Sequence, residues 1–167
     1  MKIAIISDTH DYIDERIIAY CAQCDEIWHA GDFGNFRVLE ELRNKAGPVI
    51  GVYGNVDDQD IRAETPLHQW IEREGLSIWM THIGGRPGNY SEEVREKKAK
   101  YPADIFVCGH SHILKVQRDS NEGWIYINPG AAGKTGFHKV RTMMTLELKD
   151  GKIDNPQVIE LEKRGKS

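Results

Sequence analysis

Hydrophobic and polar positions alternate along the chain in a pattern that changes near its middle. Lys2–Ser7 is an unbroken apolar run rich in isoleucine, short enough for a strand and continuous enough to be buried on both faces. Asp11–Tyr20 places Ile13, Ile17 and Ile18 near helical spacing. Glu26–Ala30 reads as a second strand and Phe36–Lys45 as an amphipathic helix with Asn35 as its N-cap. Pro48–Tyr53 reads as a third strand. Alternating strands and helices predict a parallel sheet over the first third of the chain.

Hairpins dominate thereafter. Leu67–Glu72 and Leu76–Thr81 flank Gly75, and the turn formers Gly84–Asn89 predict a loop. Ser91–Lys100 reads as a charged helix capped by Ser91, and Asp104–Cys108 as a strand. Val116–Arg118 with Trp124–Ile127, and Thr142–Leu148 with Lys152–Leu161, read as two further hairpins. The tail Lys163–Ser167 is expected to fray. The pattern predicts two sheets packed face to face with helices outside, in a single domain spanning 1–167.

Composition adds constraints. The chain has 167 residues, 40% hydrophobic and 29% charged, with a net charge of −4, which excludes disordered and collagen-like classes. The acidic balance argues against a stable nucleic-acid partner held by bulk charge. No apolar run approaches the roughly 20 residues of a membrane span, and Asp8 arrives too early for a secretory leader. The expected location is cytoplasmic, with no membrane partner. Three cysteines (Cys21, Cys24, Cys108) are too few for a disulfide framework, and Cys21-Ala-Gln-Cys24 reads as two plain helix-end thiols.

The chemistry lies where the apolar runs stop. Five of them end in polar residues able to bind metal: Asp8-Thr9-His10, Gly31-Asp32, Gly54-Asn55, Thr81-His82, and Gly109-His110-Ser111-His112. Open α/β sheets place ligands outside the carboxyl ends of their strands. Parallel runs would therefore gather these groups in one crevice. Asp8 with His10, and His110 with His112, are two residues apart, and in extended backbone each pair faces one side. A lone His or Asp at a strand end is ordinarily a cap, but five in succession are not explained that way. Two carboxylates, four histidines and one carboxamide are too many ligands for one tetrahedral ion. They suit two ions if a carboxylate bridges them. Imidazole and oxygen donors without thiolate fit manganese, iron or zinc better than calcium or copper(I). Two divalent ions against two carboxylates and a hydroxide leave the site positive, which selects an anion. A metal pair roughly 3.5–4 Å apart is a clamp for in-line displacement at phosphorus. Glycines before Asp32, Asn55 and His110 allow sharp turns and close approach.

Asp8-x-His10, Gly31-Asp32, Gly54-Asn55-Val56-Asp57, His82 and Gly109-His110-Ser111-His112, in this order, resemble the motif set of calcineurin-like metallophosphoesterases. The short length, Gly-Asn-x-Asp and Asn128-Pro129-Gly130 are similar to the small bacterial and archaeal phosphodiesterase branch. The resemblance implies a four-layer α/β/β/α sandwich of two mixed sheets flanked by helices. It implies one metal on Asp8, His10, Asp32 and His112 and a second on Asp32, Asn55, His82 and His110. Asp32 would bridge, with Asp32, Asn55 and His82 central to catalysis. The ions would be manganese first, with iron, zinc, nickel or magnesium as alternatives. A metal-bridging hydroxide would attack phosphorus in line with the leaving group of a small phosphodiester. A phosphomonoesterase is one alternative, and a protein-binding scaffold that keeps the fold is another. A homodimer or homotetramer fits the family.

One departure stands out. Related sequences with Gly-Asn-His use that histidine to stabilise the transition state or protonate the leaving group, and here the position is Val56. His68, His138 or a group on the substrate is a candidate substitute. His29 reads as a packed core histidine, Asp57 as a turn or supporting residue, and Asp11 and Asp14 as early-helix carboxylates. Arg86 reads as an exposed loop charge, with substrate phosphate as the less favoured role. Trp70, Trp79 and Trp124 read as sheet-packing or subunit-contact residues.

Overall fold

The computed structural model describes residues 1–163. β1 (Lys2–Ile6), β2 (Glu26–His29) and β3 (Val49–Gly51) run parallel, with α1 (Glu15–Cys21) and α2 (Phe36–Lys45) in the crossovers and α3 (Gln59–Glu64) following. β4 (His68–Arg73) and β5 (Leu76–Thr81) form a hairpin. β6 (Gly85–Arg86) and β7 (Asn89–Tyr90) form a miniature one before α4 (Glu92–Lys97). β8 (Ile105–Val107), β9 (Lys115–Asp119), β10 (Trp124–Asn128), β11 (Val140–Lys149) and β12 (Lys152–Lys163) complete the chain. The strands form two five-stranded mixed sheets, ordered β12-β11-β1-β2-β3 and β4-β5-β8-β10-β9.

Three separate cores make the stack four layers deep. Ile3 and Ile5 of β1, Trp28 of β2, Ile78 and Met80 of β5, and Ile105 and Val107 of β8 meet between the sheets. The alternate positions Ala4, Ile6 and Ile27 face Ile17, Val38, Leu39 and Ile61 on the helices. Trp79, Phe106, Trp124 and Tyr126 turn the other way and pack with Val94 of α4. A strand covered on both faces has no reason to alternate apolar with polar, which is why these runs are continuous. Trp79 and Trp124 are core residues, whereas Trp70 is 38% exposed and donates its indole N–H to the Pro102 carbonyl. Cys21 and Cys24 are unbridged, and burial pushes the Cys21 thiol up to about 12.

Four local features differ from what the sequence pattern shows. The first helix begins at Glu15 rather than Asp11, because residues 8–11 leave β1 in a different conformation and Asp14 is the N-cap. Asn35 occupies the N-cap position of α2 without a side-chain cap bond. α3 went unpredicted: only Ile61 is buried, so it has no apolar stripe, and its one signal is the Asp58 carboxylate accepting from the Ile61 N–H. The Gly84–Asn89 loop contains the β6 arm and the first residue of β7. Lys163 lies in β12, and the rest of the predicted frayed tail falls outside the described residues.

A charged strut ties the sheet edge to α1. The Arg141 side chain is 1% exposed, donating to Asp14 Oδ2 at 3.0 Å, Glu162 Oε2 at 2.9 Å and the Ala132 carbonyl at 2.8 Å. Burial works against ionisation of Asp14, but the Ile17 N–H and the Arg141 guanidinium outweigh it and hold the carboxyl below its ordinary range. A carboxyl lowered on folding contributes stability that is complete above its unfolded pKa, near 3.9, and is lost as pH falls through the folded value. Asp14→Asn is expected to flatten the acid limb of the stability curve below about pH 4. Chemical denaturation across that range checks it; an unaltered acid limb would count against the strut.

Candidate metal centre

The carboxyl ends of β1, β2 and β3 in one sheet, and of β5 and β8 in the other, open on one crevice, where the segments that follow them meet. Asp8 Oδ1 lies 3.6 Å from His10 Nε2 and 3.2 Å from His112 Nε2. Asp32 Oδ2 lies 3.1 Å from His82 Nε2 and 3.5 Å from His10 Nε2. Asn55 Oδ1 lies 3.1 Å from His110 Nδ1. Two compact groups of candidate donors result: Asp8, His10 and His112, and Asp32, His82 and His110. All seven residues singled out from the sequence are thus brought together.

The route differs from the expected one. Asp8 and His10 lie beyond β1, and Asp8, His10, Asp32, His110 and His112 all have positive φ, between 43° and 68°. The pairs converge through left-handed backbone, not through the side-on alternation of an extended strand. Asp and His tolerate this region better than most residues, but it still costs about 1–3 kcal/mol per residue. The neighbourhood must hold each turn in place.

It does so with buried polar contacts. Asp8 Oδ2 accepts from the Ser7 hydroxyl at 2.6 Å and the His110 N–H at 3.0 Å, which turns Oδ1 toward the crevice. Asp32 Oδ1 accepts from the Val56 N–H, leaving Oδ2 inward. Asp57 accepts three backbone N–H groups, from Asp32 at 2.9 Å, Gly54 at 2.7 Å and Gly34 at 2.9 Å, and so ties the β2 and β3 turns together. Asn128 donates to the Gly109 carbonyl and Ser111 Oγ, anchoring the Gly-His-Ser-His loop. Order and spacing along the chain give no sign of Ser7 or His138 in this supporting role.

The hydrogen bonds also set imidazole tautomers. His82 Nδ1 meets the Ala30 carbonyl at 2.7 Å and must carry the proton, so Nε2 offers a lone pair to the crevice. His138 Nε2 donates to the Gly133 carbonyl at 2.8 Å, so its Nδ1 accepts from His112 Nδ1 at 3.2 Å and His112 Nε2 is left facing Asp8. Both His138 nitrogens are engaged. Those of His68 are too, with Trp79 and Glu93. Both rings are thus held by contacts within the protein. His29 is fully buried, accepts from the Gly31 N–H and contacts Thr9 Oγ1; burial pushes its pKa down to about 3. It is the packed histidine the sequence predicts.

Asp8 Oδ1, His10 Nε2 and His82 Nε2 are buried atoms with no hydrogen-bond partner among the described residues. Buried polar atoms are nearly always satisfied, and a lone pair facing a carboxylate at 3.1 Å is repulsive unless a cation intervenes. Protons respond to the same field. Asp8 raises the pKa of His10, and burial lowers that of His110. Burial opposes protonation of His82, but Asp32 and Asp8 overcome it. Burial likewise opposes ionisation of Asp8, and His10, His112 and Ser7 reverse that, holding the carboxyl well below the usual range. The donor set therefore fits divalent metal.

Glycines make the approach. A Cβ at Gly54 would overlap Asp32 Oδ1, and one at Gly109 would overlap Ser7 Oγ. Gly31 has φ +100°, and a Cβ there would lie 2.6 Å from His82 Nδ1. Gly31→Ala is expected to destabilise by about 1–3 kcal/mol through overpacking alone and to weaken metal retention by turning His82. Urea denaturation and elemental analysis of the same sample read the two effects; an alanine variant equal to wild type in both would refute the close fit.

The model of the calcineurin-like phosphoesterase superfamily domain matches residues 1–151. Phosphodiesterase MJ0936 of Methanocaldococcus jannaschii is 30% identical over 147 residues, covering 78% of this chain and 83% of the relative. A solved archaeal phosphodiesterase shares the fold at TM-score 0.71 and 24% identity, over 95% of this chain and 100% of the other. Wild-type Vps29 of Entamoeba histolytica complexed with zinc shares it at TM-score 0.72 and 19% identity, over 97% and 100%. Motif order, the two-sheet sandwich and the domain match agree: this chain belongs to the calcineurin-like phosphoesterase superfamily.

Proposed function

We propose that the chain is one metallophosphoesterase domain that hydrolyses phosphodiesters at a centre of two divalent ions. Asp8, His10, Asp32 and His112 would hold one ion and Asp32, Asn55, His82 and His110 the other. The carrying observation is the convergence of three partnerless buried atoms, Asp8 Oδ1, His10 Nε2 and His82 Nε2, where the strand ends of both sheets meet. Asp32 Oδ2 lies between His10 and His82, which supports a bridging role. The phosphodiesterase relative supports diester chemistry, and the zinc complex of a protein with this fold supports metal at such a site. When bound, the ions would lower the pKa of water and offset charge on phosphoryl oxygens. The chain's own part is orientation. Ala30 and His138 keep the imidazole lone pairs of His82 and His112 inward, and Ser7 and Val56 keep one oxygen of each carboxylate outward.

Hydrolysis of bis-nitrophenyl phosphate and mono-nitrophenyl phosphate with added manganese tests this. Faster turnover of the diester is expected, together with two ions per chain in protein purified without chelator. Preference for the monoester would make it a phosphomonoesterase. No turnover with any divalent ion would favour the scaffold reading.

Val56 is 49% exposed beside Asn55, and its side chain has no acidic proton to give. The leaving group must therefore depart without help from that position. General acid catalysis is typically worth about 10²–10⁴-fold. Val56→His is thus expected to speed alkoxide esters far more than nitrophenyl esters. Rates across a series of leaving groups check it; an equal dependence on leaving-group pKa in both proteins would refute it.

A further inference from the structure

The crevice has two unlike flanks, separated by Ile83 and Ser91. One is a notch of about 330 Å³ beside Asn55 and His82, lined by Tyr53 and Leu67. Its cation, Arg62, is already committed: Nε donates to the Asp57 carbonyl and the guanidinium stacks on the Tyr53 ring at 4.6 Å. The other is a groove of about 530 Å³ that begins at His110 and Ser111 and is lined by Arg86, Arg95 and Lys115. These cations come from three different elements, β6, α4 and β9. None of the three is in an ion pair among the described residues, although other cations of the chain, such as Arg43 and Arg73, are paired and others again are not. The groove's one acid is Glu92.

Three unpaired cations against one acid, in a chain of net charge −4, form a local positive field. That field adjoins the place where an ester phosphate would sit. A single phosphate uses only the metal centre, which leaves the groove without a ligand. We infer that the groove binds a second phosphate on the same substrate. The substrate class is then a phosphodiester that carries a further phosphate on one arm, with the uncharged arm in the apolar notch. This inference rests on the proposed phosphodiesterase reading for its reaction but not for its binding. Arg86 then takes the less favoured of its two sequence readings, a contact to substrate phosphate, and becomes a specificity residue.

The test is calorimetric titration of the manganese-loaded protein with thymidine 3′-monophosphate, thymidine 3′,5′-bisphosphate and a dinucleotide phosphorylated at its 5′ end only. At least one two-phosphate probe is expected to bind about tenfold tighter than the monophosphate, an advantage of roughly 1.4 kcal/mol. The advantage should shrink with added salt. Arg86→Gln combined with Arg95→Gln, and Lys115→Gln alone, should reduce that ratio, and Glu92→Gln should raise it about two- to threefold. Because the readout is a ratio within each protein, partial misfolding does not mimic the result. Equal affinity for all three probes, or an advantage indifferent to these substitutions, overturns the inference even if bis-nitrophenyl phosphate is hydrolysed. A substitution-sensitive advantage without turnover of any ester leaves the groove standing and removes the phosphodiesterase reading instead.

Discussion

Chelator-stripped protein is expected to melt roughly 8–16 °C below protein saturated with manganese. A ligand at a thousand times its Kd stabilises the folded state by about 4.1 kcal/mol, and each kcal/mol moves the Tm of a domain this size by about 2–4 °C. The gain should come from the partnerless atoms Asp8 Oδ1, His10 Nε2 and His82 Nε2, which metal would satisfy. Asp32→Asn should cancel most of it, because Asp32 Oδ2 faces both His10 and His82. The same variant should lower bis-nitrophenyl phosphate hydrolysis by more than about 100-fold, since residues that merely support metal ligands cost 10–100-fold. Calorimetric scans with and without chelator, alongside rates, give both readings. A Tm indifferent to metal would refute the centre.

Asp57→Ala is the second large effect. The Asp57 residue is 4% exposed, and its carboxylate is the shared acceptor of the Asp32, Gly54 and Gly34 N–H groups. Removal leaves three N–H groups in need of partners, at about 1–3 kcal/mol for each that stays buried. It also frees the left-handed turn at Asp32, with φ 57°. A loss of at least ~3 kcal/mol in stability is expected, with metal affinity down about 10–100-fold. Asp57→Asn should fall between. Its one carbonyl oxygen can serve Asp32 and Gly54, but its amide would then face the Gly34 N–H. Equilibrium denaturation and competitive metal titration measure the pair. Wild-type metal affinity in the alanine variant would show that the turns hold without this carboxylate.

Ser7 and His138 show where reading the chain stops, as do the three N–H partners of Asp57, itself read as a turn or supporting residue. A donor to a backbone carbonyl or an acceptor of three N–H groups has no periodicity and no fixed spacing from its partners. His138 lies 26 residues from His112, yet their ring nitrogens are 3.2 Å apart. The α3 helix escaped for a related reason, since a six-residue helix burying one side chain leaves no stripe.

The apolar runs and what ends them were determined by sequence. Five such runs set the strand ends, and the Asp, Asn and His residues there declared a metal-binding chemistry and a superfamily. A strand's length and two-sided burial follow from local composition, so both could be read directly. Only the tertiary structure decided how Asp8, His10, Asp32, His110 and His112 face one another. Left-handed backbone at those residues is unfavourable in isolation and persists because contacts from distant segments compensate for it. The unpaired cations of the groove likewise come from three separate elements, and only packing shows that Arg86, Arg95 and Lys115 share a wall.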